Sequence, residues 1–391
     1  MSLEPFRVAI PDERLALLRE RLRTTVWADE PAAGADDWRL GVPGSYLREL
    51  VAYWIDEYDW RAQEAAMNRF PQVRGEIDGV TVHALYERGS GPAPMPLVLT
   101  HGWPWTFWDF AQVIEPLAHP ERFGGDPADA FDVIVPSLPG SIFSSPTRSG
   151  IGWRETAGIW VQLMRALGYE RFGAHGGDSG AYVSAQLAHE FADHLVGVHL
   201  NFPALIGANL ALMTRDDFAP DEVELFDRRS VTPHNLTHYL TQICEPQTLA
   251  WAMQDSPTGL AAWMLQRRRA WSDCGGDVET RFTKDELLTS FSLYWLTNTF
   301  AGSVRFYQYS FAEPWSPAHD RKPTLEAPVG MAVFPRELLH VPRALAEQEA
   351  NLVRWSRFDR GGHFAAAEEP ELVIDDLRAF FRPLRDGTSA H

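Results

Sequence analysis

Lysine and cysteine are nearly absent from this chain of 391 residues. Each occurs twice, as Lys284 and Lys322 and as Cys244 and Cys274. The cysteines belong to no CxxC pair or His/Cys cluster, so nothing has the spacing of a zinc site. They are expected to be buried thiols rather than a disulfide. Positive charge is scarce too. Lys and Arg total 35 against 53 acidic residues, a formal net charge of −18. Such a surface repels nucleic acid and anionic membranes, and no extended Lys/Arg run offers an exception. Long apolar runs and internal repeats are also missing. No stretch is long enough to span a bilayer, and the segment Met1–Pro5 lacks the charged start and apolar centre of a signal peptide. The expectation is a soluble, cytoplasmic protein.

Hydrophobic residues make up 45% of the chain and charged residues 23%, an ordinary globular composition. The length suits one large domain with an inserted subdomain, or two domains. Residues 11–70 read as helical, with apolar stripes at Leu15, Leu17, Leu18, Leu22 and Trp27 and at Leu47, Leu50, Val51, Trp54 and Ile55. From residue 72 the pattern changes. Gln72–Ile77 and Val80–Glu87 flank Asp78-Gly79, a hairpin signal. Short apolar runs then alternate with helical stretches: Leu97–Thr100, Val133–Val135, Arg171–His175 and Val196–Leu200. This alternation indicates a parallel sheet buried on both faces. It breaks after Pro203 and resumes at Val329–Phe334 and Val353–Phe358. The expected organisation is a helical N-terminal extension over 1–71, an α/β core over 72–203, a helical cap over 204–306, and the rest of the core over 307–391. A cap inserted there lies over the sheet's C-terminal edge, where open α/β sheets hold their sites.

Four motifs carry chemistry. Gly173-Ala-His-Gly-Gly-Asp178-Ser179-Gly-Ala181 follows a strand and opens a helix, as a nucleophile elbow does. Its window admits two nucleophiles, Asp178 within Gly176-x-Asp-x-Gly180 and Ser179 within Gly177-x-Ser-x-Ala181. It is not the GxGxxG of a dinucleotide loop. His101-Gly-Trp103-Pro104 follows the strand Leu97–Thr100, where an α/β-hydrolase supplies an oxyanion-hole amide. The Trp103 and Ser179 N–H groups are expected to form that hole, and His101 to be structural. Arg360-Gly-Gly-His363-Phe364 follows the last strand, where the fold needs its general base. Glu337, in Phe334-Pro-Arg-Glu337, is set to orient that imidazole. Asp359 and Glu368 are the competing acids.

Together His101-Gly-Trp-Pro, Gly176-Gly-Asp-Ser-Gly180, Phe334-Pro-x-Glu337 and Arg360-Gly-Gly-His-Phe-Ala-Ala366 resemble the microsomal-type and juvenile-hormone-type epoxide hydrolases. Asp255-Ser-Pro-x-Gly-Leu-Ala-Ala262 and Tyr294-Trp295 resemble that family's cap, and Leu18-Arg-x-Arg-Leu22…Trp27 its N-terminal extension. The resemblance covers nearly the whole chain. It implies an α/β-hydrolase fold and selects Asp178 as nucleophile, attacking an epoxide carbon to form an ester that water activated by His363 and Glu337 then hydrolyses. No metal or cofactor is implied. The family's microsomal anchor is not seen, as in soluble bacterial forms, some of which serve natural-product pathways such as enediyne biosynthesis. The family also implies two cap tyrosines. Tyr307 matches one. For the other, counting from Glu245-Pro-Gln-Thr248 lands on His238, with Tyr239 one residue later, and Tyr239 is taken as the donor.

This chain departs from the family at Leu138-Pro-Gly-Ser141-Ile142-Phe-Ser144 and at Trp105. Trp105, His238 and Ile142 are therefore candidate pocket residues. Trp105, Trp108, Trp251 and Trp263 suggest an aromatic epoxide as the small-molecule partner, with core packing as the plainer explanation. A homodimer is compatible with the sequence. Rival readings are a haloalkane or haloacid dehalogenase using the same Asp178 ester, a serine esterase using Ser179, and a non-catalytic scaffold.

Overall fold

The turn signal Asp78-Gly79 folds as its composition dictates. Both residues are left-handed, with φ of 52° and 71°, and they join two antiparallel strands. The structure is a computed structural model that describes residues 3–29, 38–229 and 233–385. Among these, one sheet contains β1 (Leu3–Phe6), β2 (Gln72–Ile77), β3 (Val80–Glu87), β4 (Met95–Thr100), β5 (Phe131–Pro136), β6 (Phe172–Gly176), β7 (Leu195–Leu200), β8 (Leu325–Val333) and β9 (Ala350–Arg357). Their order is β1-β2-β3-β5-β4-β6-β7-β8-β9. Pairing is antiparallel between β1, β2, β3 and β5, and parallel from β5 to β9. Leu97, Val98 and Leu99 are all fully buried, because helices cover both faces of the parallel part.

The N-terminal helices are α1 (Asp12–Arg23), α2 (Gly44–Asp56) and α3 (Trp60–Met67). Three more pack on the core: α4 (Ala111–Ala118), α5 (Trp153–Ala166) and α6 (Asp178–Glu190). Between β7 and β8 come α7 (Val223–Arg228), α8 (Pro233–Cys244), α9 (Pro246–Asp255), α10 (Pro257–Trp271), α11 (Lys284–Leu296) and α12 (Phe300–Phe311). Then follow α13 (Arg343–Glu349), α14 (Ala365–Glu368) and α15 (Pro370–Arg385). Among the described residues no helix is long and apolar enough to cross a membrane.

Three expectations need correction. The N-terminal extension is not purely helical, since β1 pairs with β2 at the sheet's edge. Leu-Glu-Pro-Phe has neither the alternation nor the β-branched residues that mark a strand. The break expected at 306/307 falls inside α12, whose buried Phe300, Ser303, Val304 and Tyr307 share one face straight through it. Only one cysteine is a buried thiol: Cys274 is buried, but Cys244 is exposed at the end of α8.

The cap is tied to the core by a buried ion pair. The Arg268 guanidinium on α10 bonds the Asp109 carboxylate, with side chains 2% and 5% exposed. Removing one partner leaves a buried charge unpaired. Arg268→Met is therefore expected to cost about 3–5 kcal/mol in denaturant unfolding. A loss below about 1 kcal/mol would mean that water or another group takes over Asp109.

Candidate active site

The site starts from backbone strain at one residue. β6 ends at Gly176, Gly177 caps, and α6 begins with Asp178. Asp178 holds φ at 49°. A non-glycine residue there costs about 1–3 kcal/mol, and such outliers cluster at functional sites. The surroundings leave no room for side chains. A Cβ on Gly176 would stand 2.2 Å from the Gly180 carbonyl oxygen, and one on Gly180 would stand 2.0 Å from that of Thr100. A Cβ on Gly102 would lie 2.3 Å from Asp178 Oδ1. The strained apex is thus Asp178. Ser179, by contrast, lies within the first turn of α6, and its buried hydroxyl meets the Tyr307 hydroxyl and not a base.

The two oxygens of Asp178 face different groups. Oδ1 accepts from the Trp103 N–H at 2.8 Å, and the carboxylate also bonds the Ser179 amide. Oδ2 lies 3.5 Å from His363 Nε2. His101 pins the Trp103 loop. Its Nδ1–H donates to the Gly102 carbonyl at 2.8 Å, and its Nε2 accepts from the Leu138 N–H at 3.0 Å. Burial lowers its pKa to about 4, so it acts as a neutral brace.

His363 is fully buried, and its Nδ1–H donates to Glu337 Oε1 at 2.6 Å. The Leu338 N–H donates to the same oxygen. Burial works against an imidazolium, but the Glu337 and Asp178 carboxylates outweigh it and push the His363 pKa up to about 10. Burial likewise opposes the Asp178 charge, yet His363 and the Trp103 and Ser179 amides hold its pKa below the ordinary value. The competing acids are occupied elsewhere. Glu368 accepts the Asp273 and Phe364 amides, and the Asp359 side chain is 89% exposed.

Aromatic edges wall in the imidazole. Trp105, Trp271, Phe202 and Phe364 meet the His363 ring with centroids 5.2–6.1 Å away and planes nearly perpendicular. Of the four tryptophans singled out in the sequence, Trp105 is the one packed on this ring. Trp251 is 73% exposed and so cannot line a pocket. Trp108 is half-buried beside Phe70 and Phe107, and Trp263 lies under the Arg267 guanidinium.

Tyr307 is buried on α12, edge-on to Trp103 at 5.9 Å. Burial and the nearby Asp178 charge push its pKa well above the usual value. His238, on α8, stacks on Trp103 at 5.6 Å with planes 8° apart, 4.6 Å from Trp271. Its Nδ1–H donates to the Asn235 carbonyl, and burial lowers its pKa to about 3. Tyr239 is half-buried, 6.4 Å from Tyr307 and 5.4 Å from Phe311. The helix thus turns His238 rather than Tyr239 onto Trp103. Ile142 is buried at φ 48°, its N–H bonded to Thr299 Oγ1. Its neighbours Leu138, Pro139 and Ser141 line a narrow cavity with Ser179 and Tyr307.

Sequence reasoning missed Trp271 and Tyr182. No motif marks Trp271. Tyr182 stands one helical turn after Asp178, and burial, Tyr239 and Asp178 all raise its pKa; that i+4 spacing was the available signal. Among the described residues no cluster of three or more His, Cys, Asp or Glu could hold a metal.

An elbow carboxylate, an imidazole and a buried acid at the C-terminal edge of this sheet define an α/β-hydrolase. Residues 95–230 match the alpha/beta hydrolase fold family, and residues 3–110 match the epoxide hydrolase N terminus. A sequence from Stigmatella aurantiaca, provisionally assigned as an epoxide hydrolase, is 42% identical over 98% of this chain and 86% of its own. Epoxide hydrolase 1 of Sus scrofa is 32% identical over 97% of this chain and 88% of its own. The solved Aspergillus niger epoxide hydrolase is 30% identical, with a TM-score of 0.84 over 98% of this chain and 97% of that one. The chain belongs to the epoxide hydrolase family.

The His363 charge should be visible by NMR without substrate. Its folded pKa is raised, so the stabilisation it contributes is full below 6.5 and is lost as pH rises through about 10. Asp178→Asn removes one of the two carboxylates, and the His363 titration midpoint is expected to fall. An unchanged midpoint would show that Asp178 does not hold the proton there.

Proposed function

We propose that this enzyme opens an epoxide to a vicinal diol through an ester on Asp178. The observation that carries this reading is the division of the Asp178 carboxylate: Oδ1 accepts the Trp103 amide, the carboxylate also bonds the Ser179 amide, and Oδ2 faces the imidazole. A carboxylate with a free oxygen attacks a strained ring carbon without first losing a proton. The ring C–O bond breaks, and the alkoxide takes the Tyr307 hydroxyl proton. Esterification removes the negative charge of Asp178. His363 then keeps only one carboxylate partner, its pKa falls, and it gives up a proton that balances the one Tyr307 lost. The neutral imidazole can now take a proton from water as that water attacks the ester carbonyl. The Trp103 and Ser179 amides hold the oxyanion; the bond from the Asp178 carbonyl carbon to the alkyl oxygen then breaks, the departing oxygen takes the proton of the newly added hydroxyl, and the diol leaves with Asp178 ionised and His363 charged again.

Ester formation thus switches His363 from a charge partner into a base. The walls formed by Trp103, Trp105, Trp271 and Tyr307 suit an epoxide with a flat apolar group. The Ser179 hydroxyl meets Tyr307 and not an imidazole, which argues against serine chemistry. One observation favours a second reading, halide displacement through the same ester: the Trp103 and Trp105 indole N–H groups are buried without partners, and a leaving halide needs such donors. Chloride release from a chloroalkane tests it.

In single turnover in ¹⁸O-water, label should enter the Asp178 carboxylate before it reaches any diol. His363→Gln should accumulate the ester, seen as intact protein heavier by one substrate, and an unchanged mass would remove His363 from the hydrolytic step. Tyr307→Phe should slow ring opening by about 10²-fold or more.

A further inference from the structure

The run Arg267-Arg268-Arg269 sends three guanidinium groups to three different fates. Arg268 pairs with Asp109. Arg269 is partly exposed, bonds the Gly276 carbonyl and lies over Trp38. Arg267 is 7% exposed, yet among the described residues no carboxylate pairs with it. Its partners are neutral: the Trp263 carbonyl and Thr237 Oγ1, both at 3.1 Å, and the Trp263 ring, 3.8 Å beneath the guanidinium. These bonds use two of its five N–H donors. Burial without an acid lowers its pKa to about 10. A buried cation that lacks a counter-ion is costly, and in a chain of net charge −18 an acidic partner would be easy to supply.

Arg267 lines an open depression with Asn235 and Thr237 of α8, Trp271 of α10, and the turn at Arg39–Gly41. Two of these wall residues touch the catalytic centre. The Trp271 ring packs 5.2 Å from that of His363, and the Asn235 carbonyl receives His238. Arg267 also lies within electrostatic reach of both Tyr307 and His238.

We propose that Arg267 recognises a carboxylate, and that the substrate is an epoxide carrying one, whose anion occupies this depression; the substrate half of the proposal rests on epoxide opening at Asp178. A guanidinium fork matches a carboxylate in shape. One buried cation balances a monoanion, which favours carboxylate over a phosphate dianion.

The test uses para-carboxystyrene oxide, para-methylstyrene oxide and unreactive para-ethylbenzoate, with the wild-type enzyme, Arg267→Gln and Arg267→Lys. Wild type should prefer the carboxylate epoxide. In Arg267→Gln the carboxylate-to-methyl ratio of kcat/KM should fall at least about tenfold, chiefly through KM, and Arg267→Lys should restore part of it. Calorimetric binding of para-ethylbenzoate should weaken about tenfold in Arg267→Gln. Equal losses for both epoxides, or para-ethylbenzoate binding unchanged by the substitution, would overturn the proposal. If para-ethylbenzoate binds through Arg267 while neither epoxide is opened, the anion site stands and the epoxide reading fails. Thermal melting of each variant separates lost recognition from lost folding.

Discussion

His363 sits in the interior between two carboxylates, and the rest of the site is arranged around that charge. A buried imidazolium is tolerable only if its partner carboxylates are held in place. Glu337 is fixed by the turn after β8, Asp178 by the elbow after β6, and His363 by the loop after β9. Three segments far apart in sequence meet because parallel pairing from β6 to β9 brings their ends to one edge. The Asp178 charge has to be consumed in a reaction that uses that residue as a nucleophile. In the proposed reaction, the same pair that stabilises the resting site therefore releases the base when the ester forms. Tighter pairing improves the resting structure, while loss of the pair makes the second step possible.

Such a site needs stiff walls, and the N-terminal extension supplies them at a distance. Trp54 Nε1–H donates to Ser292 Oγ at 3.1 Å, the Tyr58 hydroxyl bonds Thr289 Oγ1 at 3.0 Å, and the Arg14 guanidinium donates to the Trp295 carbonyl at 2.9 Å. All three grip α11. From that helix the Tyr294 hydroxyl donates to the Trp105 carbonyl at 2.7 Å, and Trp105 is a wall of the imidazole. Helices that never approach Asp178 thus set where α11 lies over the oxyanion loop, and α12 with Tyr307 follows directly from α11.

The parts of this design that are local in sequence were legible there. The elbow needs small residues at Gly176 and Gly180 whatever surrounds it, and the Asp78-Gly79 hairpin is written in two residues. Glu337 and His363 were legible because their positions follow the last two strands. What remained hidden depends on long-range packing. β1 is a strand because β2 offers it an edge, and Leu3–Phe6 contributes little preference of its own. The choice between Asp178 and Ser179 turns on which residue bears φ 49°, a backbone property that the composition of the window leaves open. Trp271 became a wall through the placement of α10, and Arg267 acquired its unpaired charge in the same way, since three adjacent arginines look alike until a fold separates them.

The register of α8 shows how small a change decides chemistry. One residue along a helix is a rotation of about 100°, so a site that faces His238 does not also face Tyr239. A tyrosine hydroxyl can donate to an epoxide oxygen. Neutral His238 has already committed its Nδ1–H to the Asn235 carbonyl, which leaves Nε2 as an acceptor. Protonation would make Nε2 a donor, but burial, together with Arg267, keeps the ring neutral until pH falls to about 3. His238 therefore cannot replace a tyrosine as proton donor at working pH. Of the pair that meets Trp103, Tyr307 alone can protonate the opened ring. The stacked imidazole offers instead a fixed lone pair and a flat face, which in the proposed reaction can orient a substrate hydroxyl or ring without competing for the Tyr307 proton.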